Sequence, residues 1–179
     1  MKLRLPRRRT LALVLIGCVI GIALIIVGSF AVHATSTSES CMWCHEMKIV
    51  GEQGWMQSTH YDNNSGVVAS CADCHFPAGF FPGLWVKTRD GARDVVVHFF
   101  GQSDPEKMDW AWMKAESRRK ICDSSCLRCH VNLEPSGLSE AGKFAHRRYQ
   151  NPVNRQRCLD CHAAELHGGF LKRRGEGGR

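Results

Sequence analysis

Cys41-Met42-Trp43-Cys44-His45, Cys71-Ala72-Asp73-Cys74-His75, Cys126-Leu127-Arg128-Cys129-His130 and Cys158-Leu159-Asp160-Cys161-His162 repeat one five-residue pattern. Eight of the ten cysteines fall in these pairs. A CxxC pair alone suits zinc, a redox dithiol or haem. The following histidine separates them. Nine histidines occur in 179 residues, so chance placement of one after all four pairs has odds on the order of one in a hundred thousand. Two thiols can bond the two vinyl groups of one haem, leaving the adjacent imidazole under the iron. Zinc has no use for a histidine after every second cysteine. The spacing therefore predicts four covalent haem c groups, with His45, His75, His130 and His162 as the motif ligands.

The two remaining cysteines carry less. Cys18 lies in an apolar run, where a thiol packs as a small hydrophobe. Cys122-x3-Cys126-x2-Cys129 imitates the cluster motif of radical SAM enzymes, but Cys126 and Cys129 are already committed to haem. Cys122 reads as a free thiol.

Upstream of the motifs, Leu11 to Val32 holds 22 residues without Lys, Arg, Asp or Glu. As a helix it spans about 33 Å, matching a hydrocarbon core of about 30 Å. A cleavable signal shares the basic start, but its apolar region runs only about 7–15 residues. Ala31-Val32-His33-Ala34 is also a poor cleavage site. The reading is a retained transmembrane helix over 11–32, after a basic stub at 1–10 and before an exoplasmic tetrahaem domain at 33–179. Lys2, Arg4, Arg7, Arg8 and Arg9 keep the N-terminus cytoplasmic under the positive-inside bias. The chain is then single-pass in the cytoplasmic membrane, with its haem domain on the outer, periplasmic face.

The formal charge of +7 does not indicate nucleic acid. Five basic residues sit in the stub, and Lys172, Arg173, Arg174 and Arg179 sit in a Gly-rich tail. Two propionates on each of four haems would add about eight negative charges. Arg147-Arg148 reads as a solvated or propionate-pairing face.

The fold class is mainly α, with the haems as the core of a small domain. Leu84 to Phe100 reads as a helix carrying Lys87, Asp94 and His98. Asp104-Pro105 reads as an N-cap with Pro at the first helical position, opening a helix to about Lys120. Ser139 can cap a helix to Tyr149 that carries His146. No alternating strand pattern is present. Five histidines lie outside the motifs, His33, His60, His98, His146 and His167, and bis-His haems draw their second ligands from such residues. Met47 stands two positions beyond His45, and its thioether can compete for the first iron. By the motif alone the ligand is His45.

Cys41–Met47 as CxxCHEM, His60-Tyr61 with Asn63-Asn64-Ser65-Gly66, Cys71–His75 as CADCH, and Gly91-Ala92-Arg93-Asp94-Val95 resemble the NapC/NirT/NrfH family of membrane-anchored tetrahaem quinol dehydrogenases. The resemblance runs from the basic stub to His167. It implies Met47 rather than His45 on the first haem, His60 as distal ligand of the fourth and His167 of the third. It also implies Lys87 and Asp94 as the lining of a quinol pocket beside the first haem. Without it, the two are a surface lysine and an aspartate pairing Arg89 or Arg93. The distal ligand of the second haem stays open between His98 and a partner residue, with His146 behind.

The implied function is oxidation of menaquinol at the outer face and delivery of electrons to an exoplasmic multihaem or molybdenum reductase subunit. Cytochrome c nitrite reductase is the first candidate, and a nitrate or other periplasmic reductase the alternative. A passive anchored shuttle without a quinol site is the rival of another class. A terminal reductase is disfavoured because no CxxCK motif occurs.

Overall fold

The computed structural model describes residues 7–151, 153, 156–163, 166, 167 and 170. Lys2 and Arg4 of the stub and the basic residues of the tail lie outside them. Among the described residues there is helix and turn but no strand.

Helix α1 spans Arg7–Ala34. It is apolar on every side, and none of its apolar window is buried against the rest of the chain. A helix hydrophobic all round belongs inside a large core or a bilayer, and none of the other described residues covers this one. It is a candidate membrane span by length and composition. Ser36 and Thr35 close it by turning their hydroxyls back to Val32 and Ala31 carbonyls.

Short helices follow. They are α2 (Ser38–Cys41), α3 (His45–Gln53), α4 (Cys71–His75), α5 (Phe80–Phe100), α6 (Trp110–Lys120), α7 (Asp123–Leu127), α8 (Glu140–Gln150) and α9 (Cys158–His162). A 3-10 turn, Trp55–Gln57, follows α3. Successive motif segments touch, α2 against α3 and α4, α4 against α7, and α7 against α9.

Two expected helices begin elsewhere. The Leu84 helix starts at Phe80, because Gly79 takes φ +101° as its N-cap. That conformation suits glycine, and Pro82 falls in the first turn where its missing N–H costs little. The helix expected from Asp104 starts at Trp110 instead. Asp104 Oδ1 accepts the Glu106 N–H at 3.0 Å and makes a local turn, whereas Asp109 Oδ1 accepts from Trp112 at 2.9 Å and caps the helix. The Ser139 cap is present, with Oγ accepting the Gly142 N–H.

The polypeptide builds little apolar core. Among the described residues the buried hydrophobics are Trp55, Trp110, Ile121, Leu159 and Phe170. Trp55 donates its indole N–H to the Ala69 carbonyl at 2.8 Å and meets Tyr61 edge to face. Elsewhere polar straps do the joining. Arg118 donates to the Leu159 carbonyl at 2.6 Å, and Arg157 to the carbonyls of Arg118, at 2.8 Å, and Ile121.

Candidate haem and quinol sites

Three of the four CxxCH motifs occupy a single helical turn. Cys71–His75 is α4, where Ser70 and Asp73 form a capping box. Cys158–His162 is α9, where Asp160 accepts the Arg157 N–H at 2.8 Å in the same way. The third motif runs off the end of α7, but His130 N still donates to Cys126 O at 2.9 Å. One turn places residues i, i+3 and i+4 on one side, so both thiols and the imidazole can address one ring.

The first motif is different. Cys41 ends α2, Cys44 is extended at φ −80°, ψ 137°, and His45 starts α3. The chain breaks between the second cysteine and the histidine. Gly51 lets this corner close, since a Cβ there would collide with Met42 Sδ.

The histidines pair accordingly. Ring centroids lie 6.1 Å apart for His60 and His130, 6.4 Å for His75 and His167, and 6.1 Å for His146 and His162. Two imidazoles on opposite sides of one metal, each bonded at about 2 Å, place their centroids roughly 6 Å apart. The three pairs have that spacing. Cys71, Cys74, His75 and His167 also line one cleft, with Trp55 and His60 at its wall. Desolvation, and secondly the facing His75, pull His167 down to about 4. That keeps its imidazole neutral, the form that ligates metal.

This placement differs from the one the resemblance implied. His60 faces the third motif rather than the fourth, and His167 the second rather than the third. His146, ranked last for the second haem, faces the fourth motif. His98 faces none of these three motifs.

His45 and His98 make a fourth pair of another kind, with centroids 5.4 Å apart and Glu46 beside both. His98 Nδ1 lies 2.7 Å from Glu46 Oε1, and His45 Nε2 lies 2.9 Å from the Ser103 carbonyl. Glu46 is buried. Desolvation opposes its charge, but bonds from its own backbone N–H and from His98 hold the carboxyl below the ordinary range. Sequence reasoning missed this glutamate. Its signal was a carboxylate directly after the motif histidine. Met47 follows Glu46 in the first turn of α3 and is exposed.

Lys87 and Asp94 lie two turns apart on one face of α5, about 10 Å along the axis. Lys87 Nζ donates to the Thr35 carbonyl at 2.6 Å and sits 5.5 Å from the Phe76 ring. Desolvation lowers its pKa, with Cys41 acting in the opposite direction. Asp94 is raised, first by desolvation and then by Asp90, while Arg93 counters. Its field in turn reaches Cys44. The two side chains thus address the two cysteines of the first motif. The suggested ion pairs of Asp94 do not form, since Arg89 holds Asp90 at 2.7 Å and Arg93 stacks over Trp112 at 5.7 Å. Lys87 also lines a cleft of about 330 Å³ with Val32, Ser36, Phe80, Leu84 and Arg128, which Asp94 does not enter.

Comparison with known proteins agrees with this architecture. The chain is 35% identical to cytochrome c-type protein TorC of Escherichia coli K12 over 92% of its length, spanning 44% of that protein. It is 33% identical to cytochrome c-type protein NapC of the same strain, covering 92% of the chain and 85% of NapC. The crystal structure of the cytochrome c nitrite reductase NrfHA complex bound to the HQNO inhibitor contains a similar chain, with TM-score 0.54 and 25% identity over 85% of this chain and 88% of that one. The model of the NapC/NirT cytochrome c family, N-terminal region, matches residues 5–169, and the chain, a multihaem c-type cytochrome with one candidate membrane anchor, belongs to that family.

Proposed function

We propose that this chain is a tetrahaem quinol dehydrogenase, held by α1 in the cytoplasmic membrane with its haem domain outside, oxidising menaquinol for an exoplasmic reductase. The observation that carries the reading is one face of α5. Lys87 and Asp94 share it within electrostatic reach of Cys41 and Cys44, and Lys87 is bonded to Thr35, the residue after the anchor helix. Quinol leaving the bilayer beside the anchor reaches this face through the cleft that Lys87 lines with Val32 and Ser36.

Four haems, when bound, supply one-electron carriers for a two-electron donor. His60 with His130, His75 with His167 and His146 with His162 would hold three of them, as the spacing of the rings allows. Met47 would hold the first. The Nε2 of His45 is engaged by the Ser103 carbonyl at 2.9 Å, and its motif is broken between two helices.

The polypeptide handles the protons. A hydroquinone leaves two protons as it gives up two electrons. The Asp94 carboxylate accepts one from a quinol hydroxyl, and its raised pKa makes it a better base than an ordinary aspartate. Lys87 donates a hydrogen bond to the other oxygen and steadies the negative charge that develops there as the second proton passes to solvent. Reduction of the purified protein by a menaquinol analogue tests this. Asp94→Asn is expected to slow it about 100-fold or more, with Lys87→Ala slowed in parallel. Unchanged reduction in both variants removes the quinol site and leaves a passive shuttle.

Cytochrome c nitrite reductase is the acceptor favoured by the likeness to the NrfHA chain. The likeness to NapC and TorC favours a second reading, a donor to nitrate or another periplasmic reductase. Co-purification from membranes decides between them.

A further inference from the structure

Helix α5 carries an apolar stripe that the other described residues do not cover. Phe81, Trp85, Ala92, Val96 and Phe99 follow one another at intervals of four, seven, four and three residues. At about 100° per residue they fall within an arc of roughly 60°. Phe81 is 79% exposed, Trp85 66% and Phe99 71%, and Val95 and Val96 are exposed beside them. The opposite arc carries Lys87, Asp94 and His98, of which Lys87 is bonded to Thr35 and His98 to Glu46. The stripe therefore points away from the site and from the body of the domain. A contiguous exposed face of this kind marks a contact surface.

We infer that this face of α5 lies in the outer headgroup–acyl boundary of the bilayer, as a second membrane contact beside the anchor. Continuity with α1 identifies the occupant as lipid. Val32 and Ser36 at the end of α1 share one cleft with Phe80, Leu84 and Lys87 at the start of α5, and Lys87 is bonded to Thr35. Val32 ends the apolar run, so Phe81 and Trp85 stand at the depth where hydrocarbon gives way to headgroups. Aromatic side chains concentrate there. A helix with one aromatic and aliphatic stripe and a charged opposite face lies in the interface plane. The consequence is orientation: two contacts fix the tilt of the domain, which one helix alone leaves free to rotate. The inference rests on reading α1 as a membrane span.

The test uses the full-length holoprotein in lipid nanodiscs without any reductase. Two phospholipids carry a photoactivated diazirine, one near the glycerol backbone and one at the acyl terminus, and crosslinked peptides are mapped by mass spectrometry. The shallow probe is expected to label Phe81, Trp85 and Phe99, and the deep probe to label α1 alone. Phe81→Gln/Trp85→Gln/Phe99→Gln is expected to lose the α5 labelling while retaining the haem absorbance of the parent. Phe81→Leu/Trp85→Leu/Phe99→Leu is expected to keep it. Labelled α1 with unlabelled α5 overturns the inference and leaves the anchor intact. Protection of α5 only on adding a reductase or a second copy overturns it in favour of a protein partner. An α1 unlabelled by the deep probe removes the anchor reading and this inference with it.

Discussion

The first motif and the other three share a sequence pattern but not a geometry. Away from the anchor, each motif is one helical turn, and its histidine faces a second histidine at 6.1–6.4 Å. Beside the anchor, the motif is split between α2 and α3, and His45 and His98 are drawn to 5.4 Å with Glu46 beside both. Regular pairs suit closed, six-coordinate irons that only relay electrons. The irregular corner holds the buried Glu46 beside two histidines, and under the proposed function it is the side where protons are exchanged with a substrate. Breaking one turn of helix thus sets one motif apart from three others of identical spacing.

The sharpest way to break this contrast is to remove the second histidines one at a time. His60→Ala, His146→Ala and His167→Ala are each expected to turn one low-spin haem in four high-spin, read by electron paramagnetic resonance and absorbance. His98→Ala is expected to leave all spin states unchanged. A high-spin signal in His98→Ala, with none in His167→Ala, would invert the assignment of the second haem.

The pH dependence sharpens the same contrast at the entry site. Asp94 acts as base only when deprotonated, and desolvation with Asp90 raises its pKa. The rate of reduction by menaquinol analogue is expected to rise with pH through a value above the ordinary carboxylate range. Asp94→Asn is expected to flatten that rise. Stability has the opposite slope. A carboxyl whose pKa is raised by folding contributes stability that is full below its unfolded pKa and is lost as pH rises through the folded one. Thermal melts of Asp94→Asn are therefore expected to lack that part of the decline between acid and neutral pH. A parent rate that is flat across the same range would take the base role away from Asp94.

Much of the site was legible in the sequence because covalent chemistry demands fixed spacing. Four CxxCH motifs, the uncharged run and the spare histidines are properties of the chain order. The pairings were not legible. His60 lies 70 residues from His130, and nothing local tells which motif it will face. That depends on α4, α7 and α9 packing in succession through contacts such as Ser125 Oγ donating to the Phe76 carbonyl and Asp123 accepting from Cys158. The break in the first motif was hidden for another reason. Cys41–His45 has the same spacing as the others, and only the close approach of Met42 to Gly51 distinguishes its path. The start of α6 was misplaced because Asp104 and Asp109 are both good caps, and the nearer turn at Glu106 satisfied the first.

The smallest expected effect concerns how the regular part is held. With few buried hydrophobics, the segment between α6 and α9 relies on backbone carbonyls gathered by arginine. Arg157 reaches the carbonyls of Arg118 and Ile121 together, at the C-terminal end of α6. Cations are favoured there by the helix dipole as well as by the hydrogen bonds. Arg157→Gln is too short to reach both and leaves one or more carbonyls to water or to nothing, a loss of about 1–3 kcal/mol. Because the strap carries the N-cap of α9, the loss is expected as a lower melting temperature together with a broadened signal from the His146–His162 haem. The haem nearest the anchor is expected to keep its signal and its rate of reduction. If the entry haem changes instead, the two regions are mechanically one, and the contrast between a rigid relay and a separate entry corner does not hold.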